Sequence, residues 1–218
     1  MPHITEQLCR YAKLLVEKGL VAGPGGNISA RDGDTVYLSP SGYGLDEIKR
    51  SEWVRINLKT GKRTGALRPT CETSMHLGCY VTRPDIRAVV HTHPPLTIGI
   101  VSAGFPFKPS SPDFVAILGR ELGVVNYVVP AGEEIRNAVC AQLAKGYNVL
   151  LLENHGAVCV GASLKEACMR SWLLEESAKT VLAGAIVGKM RTLTPEEVRQ
   201  VEMLEAEDYR KALLKKGK

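Results

Sequence analysis

The triplet His91-Thr92-His93 has the residue types and the spacing to do chemistry. It follows Ala88-Val89-Val90, an apolar run that reads as a buried strand. Side chains two apart on a strand project from the same face, so both imidazoles converge on one point at the strand's exit. Five histidines in 218 residues can fall two apart by chance, but a pair at the end of a buried strand needs partners for its ring nitrogens. A third, His155, follows the buried run Val149-Leu150-Leu151-Leu152, and the adjacent Gly156 permits a tight backbone. Three imidazoles make a ligand set for one Zn²⁺ per chain rather than for Mg²⁺ or Ca²⁺.

A catalytic zinc keeps an open position, where a carboxylate that comes and goes can serve as acid or base. Glu72, just inside the start of a helix, is the candidate. Its spacing alone fits equally a solvated first-turn acid complementing the helix dipole. His76, one turn on, either orients Glu72 or lies on the surface, and His3 sits at the chain terminus. Three segments have the make-up of anion sites with free backbone amides: Gly25-Gly26-Asn27, Ser39-Pro40-Ser41-Gly42 and Thr70-Cys71 at a helix N-terminus. Each alone reads as a plain turn, and only the metal cluster beside them gives them weight. No HExxH, GxSxG, P-loop or GxGxxG is present, so hydrolase, NTPase and dehydrogenase readings lack their minimal parts.

The elements that must position these groups follow from periodicity. Ile4, Leu8, Tyr11, Ala12 and Leu15 mark a helix with Thr5 as N-cap and Gly19 as its stop. Short strands are expected at 28–30, 35–38 and Val54-Leu58, with Asp32-Gly33 as a hairpin turn. A helix capped by Thr70 runs to Arg83-Pro84, and a strand covers 88–93. Then come a short helix over 95–103, a loop through Pro106, Pro109 and Pro112, a strand over 124–129, a helix over 133–145 and a strand over 149–152. A long helix opens with a capping box at Ser163 and Glu166 and reaches Ala183, and a last one opens at Thr194-Pro195-Glu196-Glu197. The pattern predicts one three-layer α/β/α domain over residues 1–218 around a mostly antiparallel sheet, with no repeat and no linker.

Composition sets the remaining bounds. No apolar run approaches the roughly 20 residues of a membrane helix, and no secretory leader is recognisable after Met1, so a cytoplasmic location is expected. Of six cysteines without a CxxC pair, most read as small core residues in a reducing compartment. The net charge of +5 is partly carried by Arg210, Lys211, Lys215, Lys216 and Lys218, and aromatics are only 6%. That combination points to a solvated helix end and an anionic small substrate rather than nucleic acid or a membrane.

The motifs Gly25-Gly26-Asn27-Ile28-Ser29, Ser39-Pro40-Ser41-Gly42, Pro69-Thr70-Cys71-Glu72-Thr73-Ser74-Met75-His76, Val89-Val90-His91-Thr92-His93 and Asn154-His155-Gly156 occur in order. With them the chain resembles the class II aldolase/adducin family over nearly its whole length. The resemblance implies Zn²⁺ on His91, His93 and His155, with Glu72 as fourth ligand and then as acid/base. It implies a phosphate site at Gly26, Asn27, Ser41, Gly42, Thr70 and Cys71, and a fourfold homotetramer with sites at subunit interfaces. The implied reaction splits a ketose 1-phosphate into dihydroxyacetone phosphate and an aldehyde through a metal-stabilised enediolate. The chain departs from the aldolase pattern at Thr70-Cys71, where paired serines are usual, and in the loop around Asp113, where a tyrosine is usual and the epimerase branch has an aspartate. The epimerase branch in turn has aspartate where this chain has Glu72. Relatives use a tail tyrosine in the neighbour's site. Tyr209 is the candidate, though among Leu204, Leu213 and Leu214 a tyrosine is more often a half-buried packing residue of an amphipathic helix. Epimerases, dehydratases and decarboxylases share the ligands, whereas an adducin-like interaction domain is not expected to retain the full set.

Overall fold

Alternation along one buried strand sets the layers. The computed structural model describes residues 3–188 and 190–217, so Met1 and Lys218 lie outside the described residues. Strand β5 (Ala88–Thr92) is buried throughout. Ala88 and Val90 pack with Leu8, Tyr11, Ala12 and Leu15 of α1 (Ile4–Glu17) and with Leu164, Ala167 and Cys168 of α5 (Leu164–Val187). Val89 points the other way, among Met75, Cys79 and Tyr80 of α2 (Thr73–Thr82) and Ile135, Val139 and Leu143 of α4 (Gly132–Ala144). Each fully buried Val, Leu, Ile or Met among them contributes about 1.5–3 kcal/mol of transfer free energy, and the period of two splits that contribution between two helical layers. The fold is the expected three-layer α/β/α domain.

The eight-stranded sheet has the order β4-β3-β2-β1-β5-β8-β7-β6. It comprises β1 (Asn27–Asp32), β2 (Thr35–Leu38), β3 (Val54–Asn57), β4 (Arg63–Thr64), β5, β6 (Gly123–Val125), β7 (Val149–Leu152) and β8 (Gly156–Gly161). All neighbours are antiparallel except β6 and β7, which run parallel. β5 is central and pairs with β1 and β8, so its C-terminal end is flanked by the start of each.

Several local expectations are corrected. β8 was not foreseen, because Gly156-Ala157-Val158-Cys159-Val160-Gly161 is short-chained at both ends and follows the histidine motif directly. Conversely β6 stops at Val125, leaving Tyr127 and Val129 largely exposed. The proline loop gives way to a π-helical turn, Phe114–Leu118, whose Phe114 and Leu118 pack on Val149, Leu151 and Leu174.

The caps differ as well. His3, not Thr5, caps α1, accepting from the Thr5 amide. α2 starts at Thr73 with Glu72 as its N-cap residue, while the Thr70 hydroxyl accepts the Glu72 amide at 3.3 Å. The β1–β2 turn is Gly33-Asp34, since Asp32 pairs with Thr35. Ser163 accepts from the Glu166 amide, but the Glu166 carboxylate takes the Ala162 amide, so that box is only half formed. The final helix breaks at Met203-Leu204 into α6 (Pro195–Glu202) and α7 (Glu205–Lys215), and α6 carries the full capping box at Thr194 and Glu197. Between β5 and the π-helical turn lies α3 (Pro95–Ser102). Among the described residues no helix is long and apolar enough to cross a membrane.

Candidate metal centre

The strand alternation that buries Val89 against α2 also turns His91 to that side, while Thr92 faces α5 and meets the Ser171 hydroxyl at 2.7 Å. His91 is fully buried, and its Nδ1 donates to the Ala157 carbonyl at 3.0 Å. That bond fixes the tautomer and leaves Nε2 as a bare lone pair. The Nε2 atoms of His91 and His93 are 3.0 Å apart. His155 arrives from the β7–β8 hairpin, and the ligand atoms of all three rings lie within 4.8 Å of one another.

Glycine is required beside them. A Cβ at Gly156 would lie 2.3 Å from the Thr92 carbonyl oxygen, 2.9 Å from His93 Cδ2 and 3.3 Å from His91 Cε1. Close approach to the rings, not an unusual φ, therefore fixes this residue, and the left-handed position of the turn is Asn154 at φ 52°. On the opposite side a Cβ at Gly25 would touch His93 Nδ1 at 3.0 Å.

Glu72 is buried, with Oε2 3.2 Å from His91 Nε2 and Oε1 3.8 Å from His155 Nε2. Of the two readings its spacing left open, the solvated surface acid does not hold. His76 is likewise fully buried rather than on the surface. Asn27 Nδ2 donates to Glu72 Oε2 at 2.8 Å, and Asn27 Oδ1 lies 2.5 Å from His76 Nε2. Ser29 Oγ then lies 2.7 Å from both His76 Nδ1 and the Tyr80 hydroxyl.

Burial pushes the His91 ring down to about 3 and the His76 ring down to about 4. It also holds His93 and His155 below the ordinary value, so the rings stay neutral and their lone pairs stay available. For Glu72 burial works against the charge, but His91, the Asn27 amide, His155 and His76 outweigh it and hold the carboxyl below its usual range.

Whether the residues suit a metal can be judged from their unsatisfied atoms. Glu72 Oε1 and His155 Nδ1 are buried without a hydrogen-bond partner. A buried carboxylate oxygen lacking a donor is costly. A divalent cation among the three rings relieves that cost, and three nitrogens with one oxygen are a zinc-type set. The residues fit such an ion.

The three glycine- and serine-rich segments are pinned side by side. Ser39 exchanges bonds with Ile28, and the Thr70 amide donates to the Ser39 carbonyl at 3.0 Å. The Ser41 amide donates to the Arg68 carbonyl at 2.9 Å. The expectation of free amides is thereby narrowed, because those of Ser41 and Thr70 are already committed. Ser41, Gly42 at φ 83° and Cys71 are exposed, Gly26 adopts φ 68°, and the Asn27 side chain is turned to Glu72 and His76.

Asp113 pairs with Arg210 of α7 at 2.8 Å. Tyr209 is 69% exposed on a helix with no buried residue, which removes the packing reading. Neither makes a hydrogen bond or ion pair with Glu72 or the three histidines.

Sequence reasoning missed Ser29 and Tyr80. It also missed Glu175, whose carboxylate accepts from the Leu96 and Thr97 amides at 3.0 Å each and from the Thr97 hydroxyl at 2.8 Å. That contact anchors α3 just after His93. The available signal was an acid among the buried positions of α5, opposite a proline-led helix start with no capping side chain of its own.

The family model described as Class II Aldolase and Adducin N-terminal domain matches residues 6–182. The chain belongs to the class II aldolase and adducin family. An L-fuculose phosphate aldolase of Methanocaldococcus jannaschii is 29% identical over 184 residues, covering 84% of this chain and 98% of that protein. A 3-oxo-tetronate 4-phosphate decarboxylase of Pectobacterium atrosepticum is 30% identical over 203 residues, covering 89% and 90%. A solved L-fuculose 1-phosphate aldolase superposes with a TM-score of 0.85 at 28% identity, covering 96% of this chain and 97% of that one. Class II aldolases are metal-dependent, and His91, His93 and His155 are a group able to hold the ion.

Proposed function

We propose that the protein is a zinc-dependent aldolase that splits a ketose 1-phosphate of the L-fuculose 1-phosphate type into dihydroxyacetone phosphate and an aldehyde. The observation that carries this reading is the meeting of a buried carboxylate, Glu72, with three neutral imidazoles at one strand-end site. His91, His93 and His155 would hold the ion, with Glu72 as fourth ligand until substrate takes its place. When bound, the ion would supply Lewis acidity that stabilises the negative charge left by cleavage of the C3–C4 bond. Glu72, ionised at rest, would take up one proton as substrate replaces it at the ion and give it to C3, which balances the C4 hydroxyl proton released to the second group. Gly26, Asn27, Ser41, Gly42, Thr70 and Cys71 border the phosphate. The proton of the C4 hydroxyl passes to a second group, Asp113 or Tyr209, supplied by the neighbouring subunit of a homotetramer.

The similarity to the decarboxylase supports a second reading, loss of CO₂ from an oxo-acid phosphate. In that reaction Glu72 would protonate the carbon that CO₂ leaves. A panel separates them: purified protein with L-fuculose 1-phosphate, other ketose phosphates and 3-oxo-tetronate 4-phosphate, read for dihydroxyacetone phosphate, CO₂, epimer and water loss. Dihydroxyacetone phosphate from a ketose 1-phosphate supports the aldolase. CO₂ without it overturns that reading in favour of the decarboxylase, and epimer or water loss alone overturns both.

A further inference from the structure

Four hydrogen bonds link Glu72 to Tyr80 through Asn27, His76 and Ser29, and only one direction of donation satisfies them all. An ionised carboxylate accepts only, so the Asn27 NH₂ must face Glu72 Oε2 and its Oδ1 must face His76. An amide oxygen also only accepts, so His76 Nε2 carries the hydrogen. The neutral ring has one N–H, and Nδ1 therefore accepts from the Ser29 hydroxyl. Having given its proton, Ser29 must accept from Tyr80, whose phenol burial holds far above its ordinary pKa and thus protonated. Asn27, Ser29, His76 and Tyr80 are all buried, leaving no solvent to repair a reversed link.

We propose that His76, Ser29 and Tyr80 are positioning residues that lock the Asn27 amide in one orientation. This makes Glu72 Oε2 the fixed oxygen and Oε1 the working one. The inference rests on the reading of Glu72 as the proton-transfer group. The two carboxylate oxygens differ as it requires: Oε2 receives the Asn27 amide, whereas Oε1 has no hydrogen-bond partner and faces His155. The Glu72 side chain makes no capping bond to its own helix, and its hydrogen bond is to the Asn27 amide. The chain does not conduct protons, because the Asn27 amide accepts at one atom and donates at another without passing a proton between them. Were Asn27 free to flip, its Oδ1 would confront Oε2 and push the carboxylate off its line. A displacement of about 1 Å can cost on the order of 10²-fold in turnover.

Histidine-selective ¹⁵N NMR on the protein as purified tests the direction itself, with His76→Gln identifying the resonances. The expected result is a neutral His76 ring with a slowly exchanging proton on Nε2. An Nδ1–H or doubly protonated ring overturns the proposal, whatever reaction the protein catalyses. Kinetics test the consequence. His76→Leu is expected to lower kcat about 10–100-fold, the usual range for outer-shell partners, with KM and metal content unchanged. His76→Gln, which can still donate to Asn27, should recover most of that loss. A kcat within about twofold of wild type in folded His76→Leu, or equal losses in both variants, overturns the positioning role. Should His76→Leu fail to fold, Ser29→Ala removes a single hydroxyl and should both lower kcat and mix the His76 tautomers, and an unchanged ring in Ser29→Ala counts against the chain. If no ketose phosphate is cleaved even by wild type, the aldolase reading fails while the tautomer still decides the chain.

Discussion

Glu72 and Tyr209 were both expected to transfer protons, yet the structure builds their surroundings in opposite ways. Glu72 is buried, and its buried partners Asn27 and His91 are tied in turn to His76 and to the Ala157 carbonyl of the same chain. Tyr209 stands on a helix without one buried residue, held by Arg210–Asp113 and by the Ser163 hydroxyl on the Leu214 carbonyl. Met203 and Leu204, just before that helix, are exposed too, as are Ile186 and Val187 at the end of α5. A preorganised site needs rigid support on all sides, which the sheet end provides within one chain. The tail has apolar side chains and a phenol facing outward, an arrangement that makes sense against the second copy proposed above.

The comparison breaks first if the histidine site is not a unit. His91→Ala and His155→Ala should each abolish metal binding and turnover together, because two remaining rings no longer form a closed set. Metal analysis of the purified variants checks this, and retention of metal and activity in either would break the claim. Glu72→Gln sharpens the point. It should keep the fold and most of the metal while losing about 10²–10⁴-fold in turnover, the usual worth of a general acid or base. Activity within about tenfold of wild type would return Glu72 to a structural role.

Gly156→Ala is expected to have a smaller but telling effect. The added methyl meets the Thr92 carbonyl oxygen at 2.3 Å and the His93 ring at 2.9 Å. Strain of about 1–3 kcal/mol is expected for such overpacking, read as a lower unfolding midpoint and weaker metal affinity. A variant as stable as wild type, with unaltered metal affinity, would mean that the hairpin can slide and that the rings are not rigidly held.

The layers and the meeting of the three histidines were legible because burial writes itself into periodicity. Val89, His91 and His93 share a face by the two-residue repeat, and Leu8, Ala12 and Leu15 mark the stripe that covers the other one. What stayed illegible depends on contacts between distant residues. β8 starts and ends with glycine because its neighbours come too close for a side chain, which erases the usual strand signature. Ser29 and Tyr80 look like ordinary strand and helix residues until the fold brings them, 51 positions apart, to one hydrogen bond. The Ser41 and Thr70 amides looked free because their acceptors, Arg68 and Ser39, belong to another turn or another segment.

Tyr209 gives the finest test of the difference between the two regions, because it asks whether a site whose proposed metal ligands all come from one chain is incomplete in its proton transfer. Tyr209→Phe removes one oxygen from a side chain that is 69% exposed, so stability and metal content should not move. If the phenol enters a neighbour's site, turnover should fall by about 10²-fold or more, the lower end of the range for a proton-transfer group. Truncation after Glu202 should do the same. Mixing decides between a role within the chain and one across the interface. Unfolded and refolded together, Glu72→Gln and Tyr209→Phe chains would form some sites with Glu72 from one subunit and Tyr209 from the next. In a randomly mixed ring of closed symmetry that is about a quarter of the sites, and activity should reappear on that scale although neither parent has it. A phenol acting within its own chain cannot be rescued in this way, since each intact Glu72 would still be joined to a missing hydroxyl. Unchanged turnover in Tyr209→Phe and in the truncation would leave Asp113, tied to Arg210 at 2.8 Å, as the remaining candidate for the second group.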